Sequence, residues 1–206
     1  MWWRAGVYSE GTKKGFTRLL SPIARLLVVL GVKPNYLTAF GFFVSVGAGY
    51  LFWRGHFFWA ALVLLASGLC DALDGALARG SNRVTTFGKF LDSTLDRYSE
   101  IVVFLGIFLF YHERTGWADH PWGELLAFLG MAASLMVSYS RARAEGLGED
   151  CKVGLMERPE RITLLVAGAV FGATVFFWVL WALVVLATFT ALQRLFYIRS
   201  KTRKPE

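Results

Sequence analysis

Long apolar stretches recur along this chain at the length a helix needs to cross a bilayer. They fall at 36–53, 57–78, 98–111, 122–140, 162–173 and 176–198. A hydrocarbon core of about 30 Å needs roughly 20 apolar residues in a helix, because each residue advances the axis by only ~1.5 Å. The third run is short, but it reaches full length if its helix starts near Thr86, ahead of an acidic stretch. The last two runs form one almost unbroken block. As a single helix it would be about 55 Å long, too long for one crossing. A tight turn near Gly172, Ala173 and Thr174 divides it. The expected fold is all-α and integral to a membrane, with six transmembrane helices.

The placement of charge tests that count. Cytoplasmic segments of membrane proteins carry the excess of Lys and Arg. With six crossings and both termini inside, all of the 22 Lys and Arg except Arg54 and Arg114 fall on the cytoplasmic side. Five or seven crossings would scatter them over both faces. The net charge of +7 is then a basic inner face against anionic headgroups, and no nucleic-acid partner is expected. Only 18% of residues are charged, against about 25% in soluble domains, which excludes an ordinary water-soluble globule and a disordered tail. Cys70 and Cys151 match no metal-thiolate spacing and give no reason for a disulfide. The expected location is a prokaryotic plasma membrane.

The first residues lack the apolar core and cleavage site of a secretory signal. From Phe16 to Leu30, Arg18 and Arg25 interleave with Leu19, Leu20, Ile23, Leu26, Leu27 and Val28. That pattern predicts an N-terminal amphipathic helix lying in the inner interface. Ser21-Pro22 reads as an N-cap followed by proline at the first helical position. Lys33-Pro34-Asn35 then breaks the helix and turns the chain into the first span. The domain reading is a cytoplasmic and juxtamembrane segment at 1–34, a six-helix membrane domain at 35–199 and a basic tail at 200–206. Gly41, Ser45 and Gly49 recur every four residues and predict a close-packing face.

Charged side chains within membrane spans are costly and tend to carry function. Asp71 and Asp74 end the second span, and Asp92 and Asp96 begin the third. Spacings of three and four put each pair on one helix face. The two helices are consecutive and antiparallel, so the four carboxylates can converge just inside the cytoplasmic boundary. Together they repel and cannot all stay ionised without compensation. The local cations are Arg79, Arg83, Lys89 and Arg97. Two hard divalent ions, Mg²⁺ or Mn²⁺, are the economical answer, and they would leave positions open for phosphate oxygens. Small residues at Gly75, Ala78 and Gly88 let a bulky ligand approach the backbone. Arg79 can pair with a phosphate, and Ser81, Thr85 and Thr86 offer hydroxyls beside it.

The run Asp71-x2-Asp74-Gly75-x2-Ala78-Arg79-x8-Gly88-x3-Asp92-x3-Asp96 resembles the full signature of the CDP-alcohol phosphotransferase family, with all its fixed positions present. The resemblance implies six transmembrane helices after an interfacial helix, a homodimer, and transfer of a phosphatidyl group from a CDP-linked lipid to an alcohol with release of CMP. By the same likeness, the first three aspartates hold the metals. Asp96 adds to that metal site or acts as the base for the acceptor hydroxyl. Asp74, Gly75, Ala78, Arg79, Thr85 and Gly88 would line the CDP-lipid site.

Further runs, Ala142-Arg143-Ala144-Glu145, Glu157-Arg158-Pro159-Glu160-Arg161 and Gln193-Arg194, resemble the phosphatidylinositol-phosphate synthase branch. That likeness implies CDP-diacylglycerol or an ether analogue as donor. It implies inositol 1-phosphate, a phosphorylated polyol, as acceptor, with Arg141, Arg158 and Arg194 on the acceptor phosphate. Phosphatidylglycerophosphate synthesis and archaetidylinositol-phosphate synthesis are the alternatives within the family. A divalent-cation transporter is the alternative of another class, disfavoured because the carboxylates lie at one end of the bundle. Arg143, Glu145, Glu157, Glu160 and Arg161 are expected to form ion pairs around the inner rim, and Glu100 to support the carboxylates. His56, His112 and His120 are assigned no chemistry.

Overall fold

The computed structural model describes residues 10–81, 84–114 and 120–202, with side chains from residue 20 onward. Among them are seven helices and no strand: α1 (Glu10–Val29), α2 (Pro34–Trp53), α3 (Phe57–Gly80), α4 (Thr86–His112), α5 (Gly123–Gly146), α6 (Arg158–Val170) and α7 (Ala173–Thr202). Their boundaries follow local chemistry. Pro34 opens α2, where a missing N–H costs no hydrogen bond. Thr85 caps α4, its Oγ1 accepting from the Gly88 N–H at 2.9 Å. The long C-terminal apolar block divides at Gly172, whose φ of +88° reverses the chain between α6 and α7.

One expectation changes and another is met in part. Ser21-Pro22 does not open a helix, because α1 starts at Glu10 and runs through Pro22. A proline inside a helix removes one hydrogen bond and weakens the helix without always ending it. Here α1 packs on α3, and Leu20 and Ala24, four apart and buried, continue one face across the proline. The expectation met in part concerns the spans. Four helices, α2, α3, α5 and α7, are long and apolar enough to cross a membrane. The 27-residue α4 is long enough but carries Lys89, Asp92, Asp96, Arg97 and Glu100 between its start and its middle turn. The 13 residues of α6 fall short of the roughly 20 that a crossing needs.

The bundle is tightest where α2 meets α3 and α4. Gly41, Ser45 and Gly49 are all buried. Ser67 Oγ donates to the Gly41 carbonyl at 3.0 Å. A β-carbon on Gly49 would collide with the Val102 carbonyl, and one on Gly106 with the Gly49 carbonyl. The small-residue face is thus consumed inside the chain. It brings α3 and α4 onto the same side of α2. At the end away from the aspartates, Phe57 packs edge-to-face on Phe110 at 4.7 Å. His120 stacks on Phe177 there, at 4.6 Å. This aromatic knot anchors the end that carries no site.

Candidate active site

Asp71 and Asp74 lie in the last turns of α3, and Asp92 and Asp96 in the early turns of α4. Asp71, Asp74 and Asp92 each offer a carboxylate oxygen within 4.8 Å of the others. Asp74 Oδ2 and Asp92 Oδ1 are buried without a hydrogen-bond partner. Buried anionic oxygens left unpaired are costly, and three carboxylates at this range repel. An all-oxygen donor set with unspent lone pairs fits a hard divalent cation.

Asp96 stands apart from that trio. Its Oδ1 lies 2.6 Å from Arg158 Nη1, and its Oδ2 is 3.8 Å from Arg97 Nη1. The same Arg158 nitrogen lies 2.8 Å from Asp71 Oδ2. Arg158, brought in at the start of α6, therefore bridges one carboxylate of α3 and one of α4. A small pocket opens beside this bridge, lined by Asp71, Asp74, Asp96 and Arg158 together with the hydroxyl residues Thr38, Ser67 and Ser99. The sequence reading did not single out Thr38 or Ser67. The available signal was the stripe Thr38, Gly41, Ser45, which places a hydroxyl one turn before the close-packing face.

The residues assigned to the CDP-lipid lie on the facing helix ends. Arg79 is exposed. Its Nη1 sits 3.3 Å from where a β-carbon on Gly75 would be, so the guanidinium folds over that glycine. A β-carbon on Gly88 would stand 2.9 Å from Thr85 Oγ1 and 3.2 Å from Asn35 Oδ1. Gly88 thus makes room for the α4 cap. Ala78 is half-buried. Arg83, one of the local cations, lies outside the described residues.

Two of the three arginines assigned to the acceptor, Arg141 and Arg194, converge on Glu157, while Arg158 turns to Asp71 and Asp96. Arg141 Nη1 is 3.5 Å from Glu157 Oε1, Arg194 Nη2 is 3.9 Å from it, and Arg158 is the next residue in the chain. Their environments differ. The side chain of Arg141 is 39% exposed and also binds Glu145 at 2.9 Å. That of Arg158 is 17% exposed. Arg194 is almost fully buried, and it donates from Nε to the Val153 carbonyl at 2.8 Å and from Nη1 to the Val137 carbonyl. Of the expected rim pairs, Glu145 and Glu157 join Arg141, but Arg161 is no rim residue. It is buried deep against Glu100, with Nη2 2.7 Å from Oε1. Spacing alone could not separate Arg158 from Arg161, because both lie in the first turn of one helix.

Comparison with known proteins adds an independent line. Residues 32–193 match the family model for CDP-alcohol phosphatidyltransferase. The archaetidylinositol phosphate synthase of Methanothermobacter thermautotrophicus is 40% identical over 185 residues, covering 88% of this chain and 89% of that protein. The phosphatidylinositol phosphate synthase of Mycobacteroides abscessus is 35% identical over 199 residues, covering 92% and 87%. Among solved structures, the Mycobacterium tuberculosis phosphatidylinositol phosphate synthase with CDP-DAG bound is similar at a TM-score of 0.76. It is 35% identical, and the match covers 86% of this chain and 92% of that one. The same enzyme with manganese and citrate gives a TM-score of 0.79 at 32% identity, covering 90% and 93%.

Proposed function

This chain belongs to the CDP-alcohol phosphatidyltransferase family, and from that premise we propose that it transfers the phosphatidyl group of CDP-diacylglycerol to inositol 1-phosphate, releasing CMP. The observation that carries the reading is the trio Asp71, Asp74 and Asp92, with its unpartnered buried oxygens, set beside a cavity that Arg158 enters. Asp71, Asp74 and Asp92 would hold the divalent metal, magnesium or manganese, which polarises a diphosphate and offsets the charge developing on the leaving CMP.

The chain's own residues perform the rest. Arg79 takes the donor diphosphate, and Gly75 and Ala78 leave the backbone open to it. Arg158 and Arg141 take the acceptor phosphate, with Arg194 behind them. Asp96, within hydrogen-bond reach of Arg158, accepts the proton of the acceptor hydroxyl. The hydroxyl oxygen bonds to the phosphorus that carries the diacylglycerol. The bond from that phosphorus to the CMP oxygen breaks, and CMP departs with the electron pair.

The supporting arrangement in the membrane has six crossings. In it α4 spans with its charged first half lining the site. The short α6 makes the fifth crossing and turns at Gly172 into α7, and α1 lies in the inner interface. Both ends of the chain and the site face the cytoplasm. A homodimer in this arrangement would use a face other than Gly41, Ser45 and Gly49, which are buried within one chain.

The archaeal relative at 40% identity favours one second reading, in which the donor carries ether-linked chains and the headgroup chemistry is the same. The test supplies purified protein with Mn²⁺, a diacyl or an ether CDP-lipid, and either inositol 1-phosphate or glycerol 3-phosphate, and measures CMP. Release with inositol 1-phosphate and the diacyl donor is the expected result. Release confined to the ether donor moves the assignment to the second reading. Release confined to glycerol 3-phosphate overturns the acceptor assignment.

A further inference from the structure

We infer that Glu100 and Arg161 are a positioning pair that fixes Arg158 against the carboxylates, an inference that rests on Arg158 being the acceptor-phosphate ligand proposed above. Arg161 is 1% exposed and Glu100 8%. The cavity is lined on α4 by Asp96 and Ser99 but not by Glu100. Neither member of the pair reaches the cavity, so any effect on the reaction passes through another residue.

Arg161 gathers four segments on one guanidinium. It belongs to α6. Its Nε donates to Glu100 Oε1 on α4 at 2.8 Å, and its Nη1 to the Met156 carbonyl at 2.9 Å. Its Nη2 donates to Ser138 Oγ on α5 at 3.3 Å. Glu100 follows Asp96 by one helical turn, and Arg161 follows Arg158 by one turn. The start of α6 is therefore tied to α4 by two successive rungs. Asp96–Arg158 borders the cavity, and Glu100–Arg161 is sealed beneath it. The main packing of α6 is on α3 and α7, so these rungs set its register against α4.

The energetics favour registration over strength. Desolvating two charges offsets most of their attraction, and an apolar pair of similar volume would hold the helices as well. An apolar pair would also let α6 slide or rotate. A planar fork with separate acceptors on three neighbours permits one placement. Moving the start of α6 by a fraction of an ångström would carry Arg158 off the line between Asp71 and Asp96.

A double-mutant cycle tests the inference on the full chain, with CDP-diacylglycerol, Mn²⁺ and inositol 1-phosphate. Arg161→Met and Glu100→Gln are each expected to raise the acceptor KM by about tenfold and to leave the donor KM within about twofold. Combined with Arg158→Met, either change is expected to add less than about twofold, because its effect already runs through Arg158. The unfolding temperature of the same variants is expected to change additively. Glu100→Gln keeps the size of the side chain and an acceptor oxygen for Arg161, so it runs the cycle alone if Arg161→Met does not fold. Full additivity on the acceptor KM, or an equal rise in donor KM, overturns the positioning role while the acceptor reading stands. Absence of turnover by the unaltered protein with any phosphorylated acceptor overturns both.

Discussion

Asp74 and Asp96 are both carboxylates at one helix junction, yet their surroundings give them different work. Asp74 is buried with an unpartnered oxygen among two other carboxylates, so its charge is tolerable only beside a cation. Asp74→Asn relieves that repulsion while removing a ligand. We expect turnover to fall at least about 100-fold. In EDTA the unfolding temperature should hold or rise, and the increase on adding Mn²⁺ should shrink, both read by thermal unfolding in detergent. A fall in stability in EDTA would mean the trio is held by hydrogen bonds and not by charge compensation. Asp96→Asn should separate the other role. Asp96 pairs with Arg158 outside the trio, so turnover should drop by about 10²–10⁴ while Mn²⁺ binding, followed by electron paramagnetic resonance, weakens far less than in Asp74→Asn. The four aspartates were legible because spacings of three and four force one helix face. Their division into three and one came only from the family resemblance, because Arg158 reaches Asp96 from a distant segment whose approach no local pattern encodes.

Between α5 and α6 the segment 147–157 looks in sequence like a polar cytoplasmic loop, and the structure makes its second part, 151–157, a largely buried strap. Cys151, Val153 and Met156 are buried. The Met156 N–H donates to Thr190 Oγ1 at 3.2 Å, and the Val153 carbonyl takes the Arg194 Nε donor. Gly154 holds a φ of +125°, and a β-carbon there would run into the Thr190 side chain. Gly154→Ala therefore combines a backbone conformation costing about 1–3 kcal/mol with a steric clash. We expect the strap to lift from α7. In a Cys70→Ser background, a maleimide should modify Cys151 at least about tenfold faster than in the parent, and the acceptor KM should rise as Glu157 and Arg158 shift. Unchanged thiol reactivity would show the strap does not depend on that glycine. Arg194→Gln strips donors from two buried carbonyls, at about 1–3 kcal/mol each, so it should lower stability as well as raise the acceptor KM. An intact unfolding temperature would return Arg194 to direct phosphate binding alone. Helix ends such as Pro34, Thr85 and Gly172 were readable because capping is local chemistry. The strap was not, since its burial exists only once α7 has packed beside it.

Among the described residues the four aspartates and most of the basic residues share one end, and the aromatic knot of Phe57, Phe110 and Phe176 holds the other. That polarity follows from what the two sides must do. The carboxylate end needs water for a soluble acceptor and CMP, and lateral access for a lipid donor. The far end needs only to close. Six crossings put Arg54 and Arg114 outside and every other Lys and Arg inside, so the topology and the site location stand or fall together. Single cysteines test this when Cys70 and Cys151 are replaced by serine. His56, exposed ahead of α3, and Ser200, exposed near the end of α7, lie on opposite sides in the six-crossing arrangement. With His56→Cys, a membrane-impermeant maleimide added to intact cells should label the protein. With Ser200→Cys, it should label only after the membrane is opened. Labelling of Ser200→Cys in intact cells would place the last helix end outside. The parity of the crossings would then be wrong, and the acceptor site could not open to the same compartment as the basic N-terminal helix.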